Sequence, residues 1–320
     1  MSVALKNKKI ITNFIKANHK KDHILVTNNK VFNYYYKSKK KLNFILAKEK
    51  KEIKSIIGYI PYKNYNSRFK ILWIALWIGS KKKPLSGLSS LSVLLKKFSD
   101  YSIFCLGLTE KAKKIFDLYN FTTGKLNHYY LLNPYKKKFK FIKKPQRIRS
   151  FYQHKNFLDV RLINKKNFYY LDAFKSKSEK NSEYFKSKYL FNPFYKYQIY
   201  LIKTNYLKCL IVLRIVKNKI IRVIDFSGDE KIIQYLYPLF QKIFKENGYE
   251  YIDFLNFGLN YKYLKKANFC LIKKPTIIPN FFEPLVFANH DINFAFKKKS
   301  KDKKILIFKG DGDQERPNNI

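Results

Sequence analysis

Residues 68 to 98 read RFKILWIALWIGSKKKPLSGLSSLSVLLKKF. Ile71 to Gly79 is an apolar run rich in Ile, Leu and Trp, a break follows that carries Pro84 and Gly87, and apolar residues then return at helical spacing as far as Phe98. This order predicts strand, small-residue loop, helix. The first N–H groups of such a helix lack intrahelical partners and sit at the positive end of its dipole, so residues 80 to 90 would attract a phosphate-bearing cosubstrate. An ordinary strand-to-helix connection uses the same Gly, Ser and Pro, so the rest of the chain has to separate the two readings.

The chain has 320 residues and is 46% hydrophobic, enough for two compact domains and too much for disorder throughout. Its net charge of +45 suggests nucleic acid or an anionic membrane surface. The basic residues, however, are nearly all Lys. Only seven are Arg (Arg68, Arg147, Arg149, Arg161, Arg214, Arg222 and Arg316), and Arg is the side chain suited to bidentate recognition of phosphates and bases. Solvated lysine, of the kind an AT-rich coding sequence produces, accounts for the charge; no specific nucleic acid is expected, and weak attraction to an anionic membrane follows as a by-product. Cys105, Cys209 and Cys270 have neither disulfide-framework nor zinc spacing, which fits a reducing cytoplasm and no metal. No run is long enough for a membrane-spanning helix, and the first residues lack the pattern of a signal peptide.

Around the opening stretch the chain reads as alternating elements. Residues 1 to 22 suggest a leading helix or arm, and Val31 to Tyr36, Asn43 to Ala47 and Ile53 to Tyr59 suggest three strands of a meander. After the helix come a strand at Tyr101 to Leu108, a helix in TEKAKKIFDLY with Thr109 as N-cap, and a strand at Lys125 to Leu132. The second half repeats this order: strands at 197 to 203, 209 to 216 and 220 to 226, the middle pair forming a hairpin at Lys217 to Lys219. An amphipathic helix then starts near Asp229, is interrupted by Pro238 and ends at Gly248, with strands at 249 to 255, 269 to 272, 292 to 296 and 305 to 308. The repeated order argues for a structural duplication.

Three local patterns in the first half resemble the Gcn5-related N-acetyltransferase (GNAT) superfamily. They are IGYIPY at 57 to 62, the strand-loop-helix WIGSKKKPLSGLSSLSVLL, and GLTEKAKKIFDLYNF at 107 to 121, which resembles the helix-turn motif A-x-x-I/L-Y-x-x-x-G-F. The resemblance implies an α+β fold: two GNAT-like domains in tandem, each a mixed, mostly antiparallel sheet flanked by helices. The corresponding partition is 1–135 (acyl-CoA-binding), 136–196 (a basic connecting region) and 197–320 (a degenerate second domain with the DGDQERPN tail). It also implies acetyl-CoA or another acyl-CoA as cosubstrate. Backbone groups of Ile74, Leu76, Ile78 and Gly79 would line the pantetheine arm, and Ser86, Gly87, Leu88, Ser89 and Ser90 would receive the pyrophosphate.

This chain departs from that pattern in three places. Pro84 stands where Gln or Arg is usual and Ser89 where a second Gly is usual; Phe116 replaces the Tyr that can protonate the leaving thiolate; and Asn120 replaces the Gly before Phe121, a tolerable change because Asn accepts a left-handed conformation. Tyr119 is the nearest alternative acid. PNFFEP at 279 to 284, KGDGDQERPN at 309 to 318 and HYYLLN at 128 to 133 resemble acyltransferase-like proteins of surface-polysaccharide biosynthesis, which implies an amine on a sugar, nucleotide-sugar or cell-envelope precursor as acceptor.

Amide formation from a thioester needs a neutral amine, a polarised carbonyl and a proton for the thiolate. His128 leads the candidate bases, ahead of Glu110, Asp225 and Asp253, because its intrinsic pKa lies near neutrality. SGDE at 227 to 230 occupies the place of the phosphate loop in the second half and would repel an anion, so that half reads as a substrate platform. Asp253, Asp311, Asp313 and Arg316 are its candidate substrate-binding residues. The two alternative activities are a Fem-type transferase fed by aminoacyl-tRNA and a catalytically inactive GNAT-like binding module.

Overall fold

The computed structural model describes residues 3–50, 52–62, 70–83, 85–146, 158–174, 180–299 and 304–318. Pro84, Arg68, the end of the basic patch from Arg147 and residues 175–179 of the Lys/Ser stretch lie outside them. The chain divides into two compact units. One comprises Met1–Gly124, Asn293–Asp302 and Gly312–Ile320, the other Lys125–Ile292 and Lys303–Asp311.

In the first unit six strands lie in the order Phe44–Glu49, Glu52–Pro61, Ile71–Gly79, Ser102–Leu108, Asn293–Lys297, Thr122–Lys125. Ile71–Gly79 and Ser102–Leu108 run parallel because the Ser86–Lys97 helix crosses over between them. Leu91 and Leu94 of that helix and Phe116 of Glu110–Leu118 bury themselves on Ile57, Leu72, Ile74 and Ile103 of the sheet. The second helix starts where Thr109 Oγ1 accepts from the Ala112 N–H, and the turn after it places Asn120 at φ 58°, as the sequence suggested.

The parallel ladder is short. It runs from Ile71 opposite Ser102 to Ile74 opposite Cys105 and stops, although both strands continue, one to Gly79 and the other to Leu108. Among the described residues, the first strand beyond Ile74 keeps only its antiparallel partner, with Leu76 opposite Gly58 and Ile78 opposite Ile56. Two strands thus diverge, and the N-terminus of Ser86–Lys97 lies at the end of one of them.

The second unit repeats the divergence. Its strands follow the order Asp159–Ile163, Gln198–Lys203, Lys208–Val216, Ile220–Gly228, Tyr251–Phe257, Asn127–Leu132, Cys270–Leu271. Here the parallel ladder ends at Val223 opposite Phe254. This gap is filled by the chain itself: Ile307–Phe308 pairs with Phe257 and Asn256, the Lys309 N–H reaches Leu255 O (3.3 Å), and the Gly310 N–H donates to Ile224 O (2.8 Å). Both walls are therefore hydrogen-bonded to one inserted segment.

Two α+β units, each a mixed and mostly antiparallel sheet with helices packed on it, match the expected fold class. Several expectations need correction. Residues 29–36, expected as a strand from their aromatic run, form a helix, Asn29–Tyr36, because Asn28 caps it (Oδ1 accepts from the N–H groups of Lys30 and Val31) and Val31, Phe32 and Tyr36 share a buried side. The partition at 135 also shifts: Asn127–Leu132 pairs with Tyr251–Phe257 in the second unit, and Asn293–Lys297 pairs with Ser102–Leu108 in the first. Residues 136–196 are more than a connector. Phe141 and Ile142 are buried, the N–H groups of Lys140 and Phe141 donate to Glu250, and Asp159–Ile163 is a strand of the sheet. Asp229 makes no cap; its carboxylate accepts from the Lys208 N–H, and Pro238 stands in the first turn of a separate helix, Tyr237–Asn247, which Gly248 ends at φ 64°.

Gly310 has no room for a side chain, since a Cβ there would lie 2.4 Å from Tyr189 Oη and 2.7 Å from Ile224 Cγ2. Gly310→Ala is expected to lower stability by about 1–3 kcal/mol through overpacking. Urea unfolding measures it, and an unchanged midpoint would mean that the segment does not fill the gap.

Candidate functional site

In the first unit the loop after Ile71–Gly79 is closed by its own side chains. Ser86 Oγ accepts from the Ser80 N–H (3.0 Å) and donates to Lys54 O (2.7 Å). A Cβ on Gly79 would lie 3.2 Å from Gly87 N, and one on Gly87 would lie 3.0 Å from Trp77 Nε1, whose N–H donates to Gly87 O (3.0 Å). Both glycines therefore let strand end and helix start approach each other. Ser90 is buried with its hydroxyl on Gly87 O (2.9 Å), and Leu88 is half-buried.

The Ser86–Lys97 helix has no side-chain N-cap and no acidic residue in its first turn, so nothing in the helix itself neutralises its positive end. It opens on a groove of about 560 Å³ lined by Lys48, Glu49, Lys54, Lys83, Ser86 and Ser89. Glu49 is paired with Lys83, whose hydrogen bond holds its carboxyl below the usual range, and Lys54 is raised by its hydrogen bond to Glu52. Glu49, Glu52 and Lys83 are solvent-exposed, and pairs of this kind contribute little to stability. Of the expected phosphate residues, Ser86 and Ser89 line the groove, while Gly87 and Ser90 support the turn from beneath. Ile74 is the last paired residue of the ladder; Leu76, Ile78 and Gly79 lie on the diverging stretch beyond it.

Phe116 is fully buried against Trp77 and Phe121, with ring centroids 5.6 and 4.9 Å away, so that position provides packing and no proton. Tyr119 ends the same helix with its hydroxyl 3.2 Å from Ser92 Oγ, where solvent reaches it.

His128 belongs to the second unit. Its Nε2 lies 3.2 Å from Asp253 Oδ2, and Arg222 grips the same carboxylate through Nε (3.0 Å to Oδ1) and Nη2 (2.6 Å to Oδ2). Arg222 also donates to the carbonyls of Asn280 (2.9 Å, from Nη1) and Pro279 (3.2 Å, from Nη2). Burial alone would raise the Asp253 pKa, but the Arg222 charge and the hydrogen bonds from His128 and Arg222 outweigh it and hold the group at about 2. An ionised carboxylate only accepts, so His128 must carry its proton on Nε2 and leave Nδ1 as the lone-pair nitrogen. Burial, only partly offset by Asp253, lowers the His128 pKa and keeps the ring neutral. Asp253 was expected to touch substrate; it is fully buried and instead orients His128.

The tail residues have partners of their own, because charges removed from water must be paired. In the second unit Asp311 and Asp225 share Lys180 (2.8 and 2.6 Å), with the Tyr184 and Tyr189 hydroxyls also on Asp225 (2.9 and 2.7 Å). In the first unit Asp313 pairs with Arg316 (2.5 Å), and Arg316 reaches Tyr36 Oη (3.5 Å). The tail is thus built into the fold, and ion pairing is what the structure shows for Asp311, Asp313 and Arg316, the expected substrate-binding residues. Arg222, Lys180 and Tyr189 were missed. A charged residue inside the apolar strand IIRVIDF was the available signal for Arg222.

No protein-family description matches the chain, and no curated protein matches it by sequence. Among solved structures it is similar to a candidate acetyltransferase from Pyrococcus horikoshii (10% identity, 95% of this chain and 90% of that one, TM-score 0.47). It is also similar to a GCN5-related N-acetyltransferase from Sphaerobacter thermophilus (9%, 93% and 95%, TM-score 0.43). A histone acetyltransferase HPA2-related protein from Corynebacterium glutamicum matches 39% of this chain and 85% of its own at 10% identity, TM-score 0.28. Likeness at this level does not extend to activity.

Asp253→Asn should cost about 3–5 kcal/mol, because it leaves the buried Arg222 guanidinium without its counter-charge, and the double replacement Arg222→Met with Asp253→Leu should cost less than the single one. The folded Asp253 pKa lies below the unfolded value near 3.9, so this contribution is present above about pH 4 and is lost as pH falls toward 2. Urea midpoints across that range test both statements; equal costs for the single and double variants would contradict the first.

Proposed function

We propose that the protein is a GNAT-type N-acyltransferase that takes its acyl group from a CoA thioester held by the first unit. The observation that carries this is the parallel ladder stopping at Ile74 and Cys105 although Ile71–Gly79 runs on toward the uncapped N-terminus of Ser86–Lys97, beside which Lys48, Lys54 and Lys83 line a groove. Diverging strands leave backbone donors and acceptors that an amide-bearing arm can satisfy, and the helix end with Lys48, Lys54 and Lys83 suits the pyrophosphate. The matching gap of the second unit is occupied by residues 307–310, which argues for one donor site per chain.

The acceptor in this reading is an amine on a sugar or cell-envelope precursor. Its nitrogen attacks the thioester carbonyl, the C–N bond forms, the C–S bond breaks, and the amine proton goes to a base while the thiolate takes one from an acid. In the first unit we assign the acid role to Tyr119; in the second we assign to His128, through Nδ1, the role of proton acceptor, with Asp253 as its positioning residue.

Acetyl-CoA at about 100 times its dissociation constant should add roughly 2.7 kcal/mol of stability, read as a thermal shift. Lys83→Glu and Ser89→Glu, both at the groove surface, should each weaken binding about tenfold or more; Gly87 is a poor probe, since a side chain there collides with Trp77. No shift with the natural chain would remove the donor site. With a lowered His128 pKa, kcat/KM should be flat through neutral pH and fall only on the acid side of the ordinary imidazole range as Nδ1 protonates. His128→Gln should remove that limb, and a limb that survives would clear His128 of the base role.

A further inference from the structure

The first-unit gap is entered by one side chain from the far end of the sequence. Gln314 Nε2 donates to Leu106 O at 3.0 Å, and Leu106 is the first residue of Ser102–Leu108 beyond the last parallel pair. The next residue, Gly107, is at φ +80°, and a Cβ there would lie 2.2 Å from Gln314 Nε2 and 3.0 Å from Oε1. The strand thus gives up a side chain where the carboxamide stands. Across the ladder Gly312, at φ +58°, lies on Trp73 of Ile71–Gly79, with its Cβ position 3.3 Å from the indole. The residues around Gln314 are fixed: the Arg316 N–H donates to Asp313 O (2.8 Å), the Arg316 side chain closes on Asp313, and Asp313 and Glu315 are both buried. Gln314 itself is only half-buried.

Donation from Nε2 to Leu106 O fixes which way round the carboxamide sits. Oε1 is left as an acceptor with no partner among the described residues. An oxygen so placed calls for an N–H donor, and an acyl-CoA arm carries two secondary amides. We propose that Gln314 is a donor-binding residue of the first unit, its Oε1 accepting a hydrogen bond from an amide N–H of the CoA pantetheine arm. This rests on the acyl-CoA reading above and adds a residue that lies far outside the strand-loop-helix. The tail is then part of the donor site, with Arg316 and Asp313 as its positioning pair.

The test compares acetyl-CoA with 3′-phosphoadenosine 5′-phosphate, which keeps the nucleotide and lacks the arm, by calorimetric titration of the full chain. Gln314→Met preserves length and removes the acceptor, and Gln314→Asn preserves the amide and withdraws it by one methylene. Both should bind acetyl-CoA roughly three- to tenfold more weakly, the size of one hydrogen bond, and bind the nucleotide as the natural chain does. Unchanged acetyl-CoA affinity in both variants overturns the proposal. Equal weakening for both ligands also overturns it, since that marks a purely structural role. If the natural chain binds neither ligand, the acyl-CoA reading fails first and takes this inference with it; if it binds both, a failure here leaves that reading standing.

Discussion

Two parallel strands that part company expose backbone N–H and C=O groups that had been satisfied by the ladder, and those groups need new partners wherever water is excluded. Much of this protein follows from where the partners come from. In the second unit they come from the chain itself, through Ile307–Phe308 and the N–H groups of Lys309 and Gly310. In the first unit Leu106 O is met by one side chain, Gln314, and among the described residues the stretch from Leu76 to Gly79 keeps an open edge. Of the two gaps, the second is thereby closed by the chain itself and the first is met by one side chain among the described residues.

The closed gap is fastened by charge. Asp225 and Asp311 share Lys180, and the two tyrosine hydroxyls complete the coordination of Asp225. Burial, only partly offset by Lys180 and reinforced by Asp311, raises the Asp225 pKa; the Lys180 pKa is also raised, since its two carboxylates outweigh its own burial. A lysine so held is a poor nucleophile, and its role is to fix the inserted segment. The Arg222, Asp253 and His128 arrangement of the same unit differs in kind. There the carboxylate is saturated and the imidazole, 12% exposed, is the group left able to exchange a proton.

The sequence made the local elements legible. Ile71 to Gly79 and the helix after it announced themselves by periodicity, as did the Thr109 cap, the left-handed Asn120 and the Gly248 terminus, because each depends on a few consecutive residues. Aromatic residues at 32 to 36 misled, since strand propensity is overruled when a cap and a buried helical side agree. What stayed hidden joins distant residues: Gln314 with Leu106, Lys180 with Asp311, and His128 with Asp253 across two strands. Spacing along the chain carries no information about such pairs. Gly87 is a milder case, as its partner Trp77 lies ten residues back.

The central claim is that one gap admits a CoA thioester and the other does not. Hydrogen–deuterium exchange with and without saturating acetyl-CoA tests it directly. The expected result is slowed exchange in peptides covering residues 75 to 90, with residues 224 to 228 and 255 to 257 unchanged. Protection in the second set, or in neither, would contradict the account.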